Sequence, residues 1–378
     1  MNQTLDQALL PAGLTDALPP EAEAEARAIS TLIRVFAAHG YRRVKPPLVE
    51  FEEGLLEGPG AALAQQIFRI MDPISQRMMG LRADMTPQIA RIAWSRLAKA
   101  PRPLRLSYAG QVLRVRGAQL RPERQFAQAG VELFGSDALG ADVEIVLLAA
   151  EALAAVGVKD VSIDLTLPTL VPALARGLGV DAKAAAEARD ALDRKDIARV
   201  AAVGGRLGQI LQALLKAAGP AETAGRALAA LDLPDEAAAA RDRLIAILAA
   251  LREAAPGLRL TVDPGEFRGL DYETGIGFTV FSRGVRGELG RGGRYRSTGG
   301  EGAVGFTLFL DSLLRALPEP PAERVLYLPH GAPIGTGAKL RAEGWSTVQG
   351  LAPEADIRAE ARRLGCSHVH DGGRAVEI

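Results

Sequence analysis

The chain of 378 residues has one cysteine, Cys366, and so cannot close a disulfide within itself. That usage suits a reducing compartment. It also lacks an excess of either charge: Lys+Arg and Asp+Glu both total 45. No overall field draws such a molecule toward nucleic acid or an anionic membrane surface. No apolar run reaches the length of a membrane span, and one of the longest, 145–156, carries Glu151 inside it. The acidic start (Asp6, Asp16, Glu21, Glu23, Glu25) has neither the basic stretch nor the apolar stretch of a secretion signal. Walker loops, zinc-ligand spacing and a Ser/His/Asp set are all missing. Cys366, His368, His370 and Asp371 stand close together, but they read as the end of a short strand, so no metal is expected. A soluble cytoplasmic protein, with no cofactor and no membrane contact, is the expectation.

What is present is ample material for a core, at 48% hydrophobic and 24% charged. Residues 21–38 bring Ala22, Ala26, Ile29, Leu32, Ile33 and Phe36 round at helical spacing, and Gly40 stops the helix. The segment 41–50 reads as a strand broken by Pro46 and Pro47, hence an edge or an interface. Strand patterns at 78–81, 104–109 and 128–134 surround an amphipathic helix at about 86–99. Short connections of this kind point to an antiparallel sheet. Residues 168–256 are alanine-rich and helical, strands return from 258 to 308, and 309–317 reads as a helix. After Pro318, Pro320 and Pro321 comes a small β/α pattern. The expected class is α+β, divided into a core in two parts (1–167 and 257–317), a helical insertion (168–256) and a small α/β domain (322–378). Gly290 to Gly293 read, by themselves, as a tight turn.

Two motifs give this frame a chemistry. Residues 111–135 contain Arg114, Arg116, Phe126, Gln128, Glu132 and Gly135, and residues 267–275 read Phe-Arg268-Gly-Leu-Asp271-Tyr272-Glu273-Thr-Gly. The first resembles motif 2 of class II aminoacyl-tRNA synthetases, and the second the histidine-specific motif of histidyl-tRNA synthetase. Motif 1, the dimer contact of that family, falls on the helix and proline-bearing strand at 21–50. The resemblance implies a class II synthetase-like antiparallel sheet flanked by helices.

A free amino acid needs acceptors for its ammonium, a fixed cation for its carboxylate and a third group that reads its side chain. By the resemblance, Asp84 and Thr86 in Leu81-Arg82-Ala83-Asp84-Met85-Thr86 hold the ammonium together with Gln128, and Glu132 reads the imidazole. Gln128, Gly130 and Glu132 alternate onto one face of a strand. Arg268 meets the carboxylate, as a planar, permanently charged fork can. Tyr272 lies in the histidine-specific motif and Tyr295 closes the ring pocket. Glu273 stands where the family more often has tyrosine, and Arg114, which faces the α-phosphate in the family, is counted with these residues.

The nucleotide side departs from the family at three points. The motif 3 arginine is Ser312, a lost charge-assisted bond of about 1.5–3 kcal/mol. Arg116 replaces the glutamate that accepts from adenine, and Phe309 replaces a glycine beside the nucleotide. Phe126, which stacks on adenine in the family, is kept. A kept pocket, a damaged ATP site and a tail shorter than an anticodon-binding domain resemble the regulatory subunits of short-form ATP phosphoribosyltransferase. That family implies no catalysis by this chain, a separate catalytic subunit as partner, histidine as effector, self-association through the motif 1-like region and no tRNA. A divergent histidyl-tRNA synthetase, or an amino-acid sensor with another partner, stays open.

Overall fold

The computed structural model describes residues 9–118, 121–267, 273–318 and 324–378. The chain divides into two compact units, Met1–Pro318 and Glu319–Ile378.

The first unit is organised by a nine-stranded sheet. In chain order its strands are β1 (Arg42–Arg43), β2 (Leu104–Leu113), β3 (Gln125–Phe134), β4 (Val161–Thr166), β5 (Gly219–Pro220), β6 (Arg259–Asp263), β7 (Glu273–Ser282), β8 (Gly290–Arg296) and β9 (Gly302–Phe309). They lie side by side as β1-β2-β3-β9-β8-β7-β4-β6-β5. From β2 to β4 every neighbouring pair is antiparallel. Pro46 and Pro47 follow β1, a short edge strand parallel to β2, and Val49–Phe51 joins a separate three-stranded sheet with Phe68–Met71 and Met78–Leu81. A prolyl nitrogen cannot donate to a ladder, so the chain changes sheets there.

Alternation along the central strands gives the sheet two different faces. Ala127, Ala129, Val131 and Leu133 of β3, with Val304, Phe306 and Leu308 of β9, join one large apolar cluster. Helix Glu21–Ala38 adds Ala28, Leu32 and Phe36 to it, residues four apart on one stripe. Helix Leu139–Val156 adds a nearly continuous apolar surface. The opposite face carries Tyr108, Phe126, Phe134, Tyr295 and Phe309, packed by Met85, Ile89 and Ala93 around helix Thr86–Trp94. That helix stops earlier than the pattern at 86–99 implies, where the Ser95 hydroxyl donates to the Arg91 carbonyl and the chain turns.

The alanine-rich segment forms helices Leu170–Gly177, Ala182–Asp193, Ile197–Ala202, Gly205–Ala217, Ala221–Ala229 and Asp235–Ala254, and their buried residues belong to the same large cluster as the sheet. Asp181 and Asp196 cap two of them, each accepting backbone N–H bonds of 3.0 Å. Buried Asp142 binds Arg294 of β8 at 2.9 Å and also Arg243 of helix Asp235–Ala254, which ties helix to sheet.

The reading of Gly290 to Gly293 as a tight turn is corrected: these residues run along β8. Their lack of a side chain serves packing. A Cβ at Gly292 would meet the Gly305 carbonyl oxygen at 2.3 Å and the Phe278 ring at 2.6 Å.

The second unit is a four-stranded sheet in the order Ser346–Gln349, Val325–Leu328, His368–Asp371, Arg374–Glu377, with helices Ile334–Ala342 and Ile357–Arg363. Cys366 is buried beside Tyr327, Ala361 and Val369, and His368 meets Trp345 edge-on at 4.7 Å. Among the described residues no helix is long and apolar enough to cross a membrane.

Candidate functional site

Cross-strand register explains where the cavity lies. Gly277 of β7 pairs with Gly293 of β8, Gly293 with Gly305 of β9, and Gly305 with Glu132 of β3. Three glycines therefore run in one row on the packed face and end at a carboxyl group. Glycine weakens a strand, and such a row marks a place where another group approaches the backbone closely. A Cβ at Gly305 would stand 2.0 Å from Glu132 Oε2.

Above Gly293 and Gly305 is an open cleft, lined among others by Asp84, Thr86, Glu132, Glu273, Arg291, Tyr295 and Thr307. Five of the nine residues expected at the site thus share one wall system: Asp84, Thr86, Glu132, Glu273 and Tyr295. Two more stand behind it. Gln128 is fully buried, its Nε2 donating to Asp84 Oδ2 at 2.9 Å and its Oε1 accepting from the Met85 N–H at 3.0 Å. It fixes the acid from behind. Asp84 Oδ1 in turn accepts the Thr86 N–H at 3.0 Å, an Asx turn that opens helix Thr86–Trp94. Arg114 donates to the Ala83 carbonyl at 3.1 Å, while its buried Nη2 lies 3.7 Å from Asp84 Oδ2 without a hydrogen-bond partner among the described residues. Arg268 and Tyr272 lie outside the described residues. Phe267, just before Arg268, is held by helix Ala182–Asp193: its N–H donates to Asp193 at 2.7 Å and the Arg189 guanidinium sits 3.6 Å from its ring centroid.

Glu132 is 2% exposed. Thr86 Oγ1 donates to it at 3.0 Å, the Tyr295 hydroxyl at 2.9 Å and the Tyr108 hydroxyl at 3.3 Å. Burial pushes its carboxyl up to about 8, against the pull of these hydroxyl bonds. Tyr108 bonds Thr307 at 2.7 Å, and burial raises its phenol well above the ordinary value.

Sequence reasoning passed over Tyr108, Thr307, Arg291 and the glycine row. Tyr108 and Thr307 sit in apolar strand patterns and read as core. The glycines become a row only when three strands are registered, although Gly290-Arg-Gly-Gly is itself an unusual density for a strand.

Beyond Arg114 the same face is filled. The Arg121 guanidinium lies 4.3 Å from the Phe126 ring centroid and 3.9 Å from that of Phe309. It binds Asp311 through two bonds, 2.9 and 3.2 Å, and the two rings meet edge-on at 6.1 Å. Ser312 is fully buried and its hydroxyl accepts from Arg315 at 3.0 Å, whose other terminal nitrogen binds Glu123 at 3.2 Å. The platform expected to stack a nucleobase is covered by this chain's own guanidinium.

Comparisons with known proteins bear on the family of the chain. The histidyl-tRNA synthetase family profile matches residues 13–313. The ATP phosphoribosyltransferase regulatory subunit of Rhodospirillum centenum is 61% identical over 98% of this chain and 96% of that protein. That of Paramagnetospirillum magneticum is 57% identical over 100% of both. Among solved structures, an ATP phosphoribosyltransferase regulatory subunit/histidyl-tRNA synthetase from Bacillus halodurans superposes with a TM-score of 0.81 at 25% identity, covering 94% of this chain and 96% of that one. Histidyl-tRNA synthetase from Nostoc, at 20% identity and a TM-score of 0.79 over 96% and 90% of the two chains, shares the fold.

Proposed function

The chain belongs to the family of ATP phosphoribosyltransferase regulatory subunits, built on the histidyl-tRNA synthetase fold; on that premise we propose that it binds free histidine in the cleft over the glycine row and passes that occupancy to a catalytic subunit. The subunit itself is non-catalytic. It supports the phosphoribosyltransferase activity of its partner, and histidine bound here lowers that activity.

The observation that carries this reading is the contrast on one sheet face between an open cleft ending at Glu132 and a nucleotide side occupied by Arg121. Each part of a zwitterionic ligand has a matching group. Asp84 and the Thr86 hydroxyl suit an ammonium, the unspent Arg114 nitrogen and Arg268 suit a carboxylate, and Glu132 with Tyr295 suits a ring that both donates and accepts. Glu273 belongs to the wall of the cleft, and Tyr272 is counted with it through the histidine-specific motif alone. For histidine to act on a distant active site it must bind two conformations of the assembly unequally, and that difference in free energy is what reaches the partner. Self-association through 21–50 completes the assembly. Sedimentation of the purified chain is expected to give a dimer, and a monomer at micromolar concentration would remove this element.

The test is an assay of the catalytic subunit alone, with this chain, and with this chain plus histidine. We expect activation by the chain, inhibition by histidine, and an Asp84→Ala variant that still activates but is no longer inhibited. Inhibition of undiminished strength in Asp84→Ala would refute the pocket assignment. ATP–pyrophosphate exchange driven by histidine would instead mark a working synthetase.

A further inference from the structure

Glu132 is buried at the end of the glycine row, and among the described residues the groups that reach it within hydrogen-bonding distance are three hydroxyls: Thr86 from the start of a helix, Tyr108 from β2 and Tyr295 from β8. Thr307 of β9 backs Tyr108. Among the described residues the other charged groups lining the cleft are Asp84, Arg291 and Glu273, with Arg114 behind Asp84. No Lys or Arg forms an ion pair with Glu132 among the described residues. A carboxylate removed from water and left to neutral donors prefers its protonated form, and Asp84 on the neighbouring wall adds to that preference.

An imidazole is the side chain that titrates close to neutrality, at about 6.5 when unperturbed. Resting on the histidine reading above, we propose that Glu132 and the ring of the bound ligand hold one shared proton between them, so that affinity for histidine is a bell-shaped function of pH. Between the titration of the free imidazole and that of the free Glu132, unliganded protein and free ligand together already carry that one proton, on the acid. Binding then moves it, at most, from the Glu132 oxygen to the ring nitrogen, with none exchanged with solvent. On the acid side the ring arrives protonated as well, and one proton must leave before the pair forms. On the alkaline side the acid is empty, and one proton must be taken up. Burial places the alkaline limb near the value of about 8 at which Glu132 titrates, and the acid limb near about 6.5. A ligand whose side chain carries a permanent positive charge must instead expel the Glu132 proton to solvent when it binds below about pH 8, which costs affinity that the shared proton spares histidine.

The experiment is calorimetric titration of the full-length chain with histidine from pH 5.5 to 9, in two buffers of different ionisation enthalpy at each pH. The expected result is maximal affinity between about 6.5 and 8, falling roughly tenfold per pH unit beyond either limb as one proton is exchanged. Proton release is expected at pH 5.5, little exchange at 7.2 and uptake at 8.7. Glu132→Gln should lose the uptake at 8.7 that exceeds the small contribution of the ligand's own ammonium. Independently of that variant's folding, an alanine carrying a triazole ring, too weakly basic to be protonated in this range, should bind the unaltered chain with the alkaline limb and without the acid one. A flat profile with clear histidine binding overturns the shared proton and leaves the histidine reading standing. Failure to bind histidine at any pH overturns both.

Discussion

Two regions of one sheet face, side by side, have had opposite fates. Along Gly293 and Gly305 a cleft is open and ends at Glu132; over Phe126 and Phe309 the space is taken by Arg121, held by Asp311. The difference teaches what a binding site costs. The cleft keeps weak strand residues and a buried acid without a cationic partner among the described residues. The neighbouring region has satisfied its charges internally and gained packing. The first arrangement is what a ligand can complete, and the second is already complete.

If that contrast is right, single substitutions should separate stability from binding. The largest effect belongs to the filled side. Asp311→Ala strands the buried Arg121 cation, with Glu288 at 3.9 Å as its remaining acid, and should destabilise the fold by about 3–5 kcal/mol in chemical denaturation. Affinity for histidine at temperatures where the variant is folded should stay within about twofold. The open side should behave in reverse. Asp84→Ala removes the acid expected at the ligand ammonium, and histidine affinity should fall by about 2–3 kcal/mol, roughly thirty- to 140-fold by calorimetry. Its effect on unfolding should be smaller than that of Asp311→Ala, because what is lost inside the protein is two neutral hydrogen bonds, from Gln128 and from the Thr86 N–H, and a loose 3.7 Å pair with Arg114.

A third substitution tests the tension within the cleft. The Glu132 carboxyl titrates near 8 in the folded protein and near 4.3 in an unfolded chain. The folded state therefore holds a proton that the unfolded state has lost between those values. Its contribution to stability is intact below about pH 4, declines as pH rises through that interval and is fully lost above about 8. Glu132→Gln, unable to ionise, should be more stable than the parent by about 1–3 kcal/mol at pH 8 and by much less at pH 5. Equal unfolding free energies at both pH values would contradict the burial of an uncompensated acid. The smallest expected effect is none: Arg121→Ala, even combined with Ser312→Arg, should give no histidine-dependent ATP–pyrophosphate exchange, since Arg116 and Phe309 remain.

Much of this was legible before any coordinates. Alternation in 128–134 and the spacing of apolar residues in 21–38 are local signals, and they mark β3 and the first helix correctly. Asp84, Thr86, Glu132 and Tyr295 could be named from motifs because each sits in a short characteristic stretch. What stayed hidden depends on register. Nothing local distinguishes Gly293 in a strand from Gly293 in a turn, and the pairing of Gly277, Gly293 and Gly305 joins segments separated by up to several strands' length of chain. Arg121 was equally silent. Its position on Phe126 follows from Asp311, which lies 190 residues further along the chain. The two prolines at 46–47 did announce a break, and they mark where the chain leaves one sheet for another.

The measurement that bears most directly on the contrast is a pair of calorimetric titrations of the purified chain at pH 7.2, one with histidine and one with ATP. Saturable binding of histidine, with no heat of binding from ATP up to millimolar concentration, is the predicted result. Saturable binding of ATP would contradict a nucleotide side filled by Arg121, and binding of neither ligand would contradict the cleft at Glu132 as a histidine site.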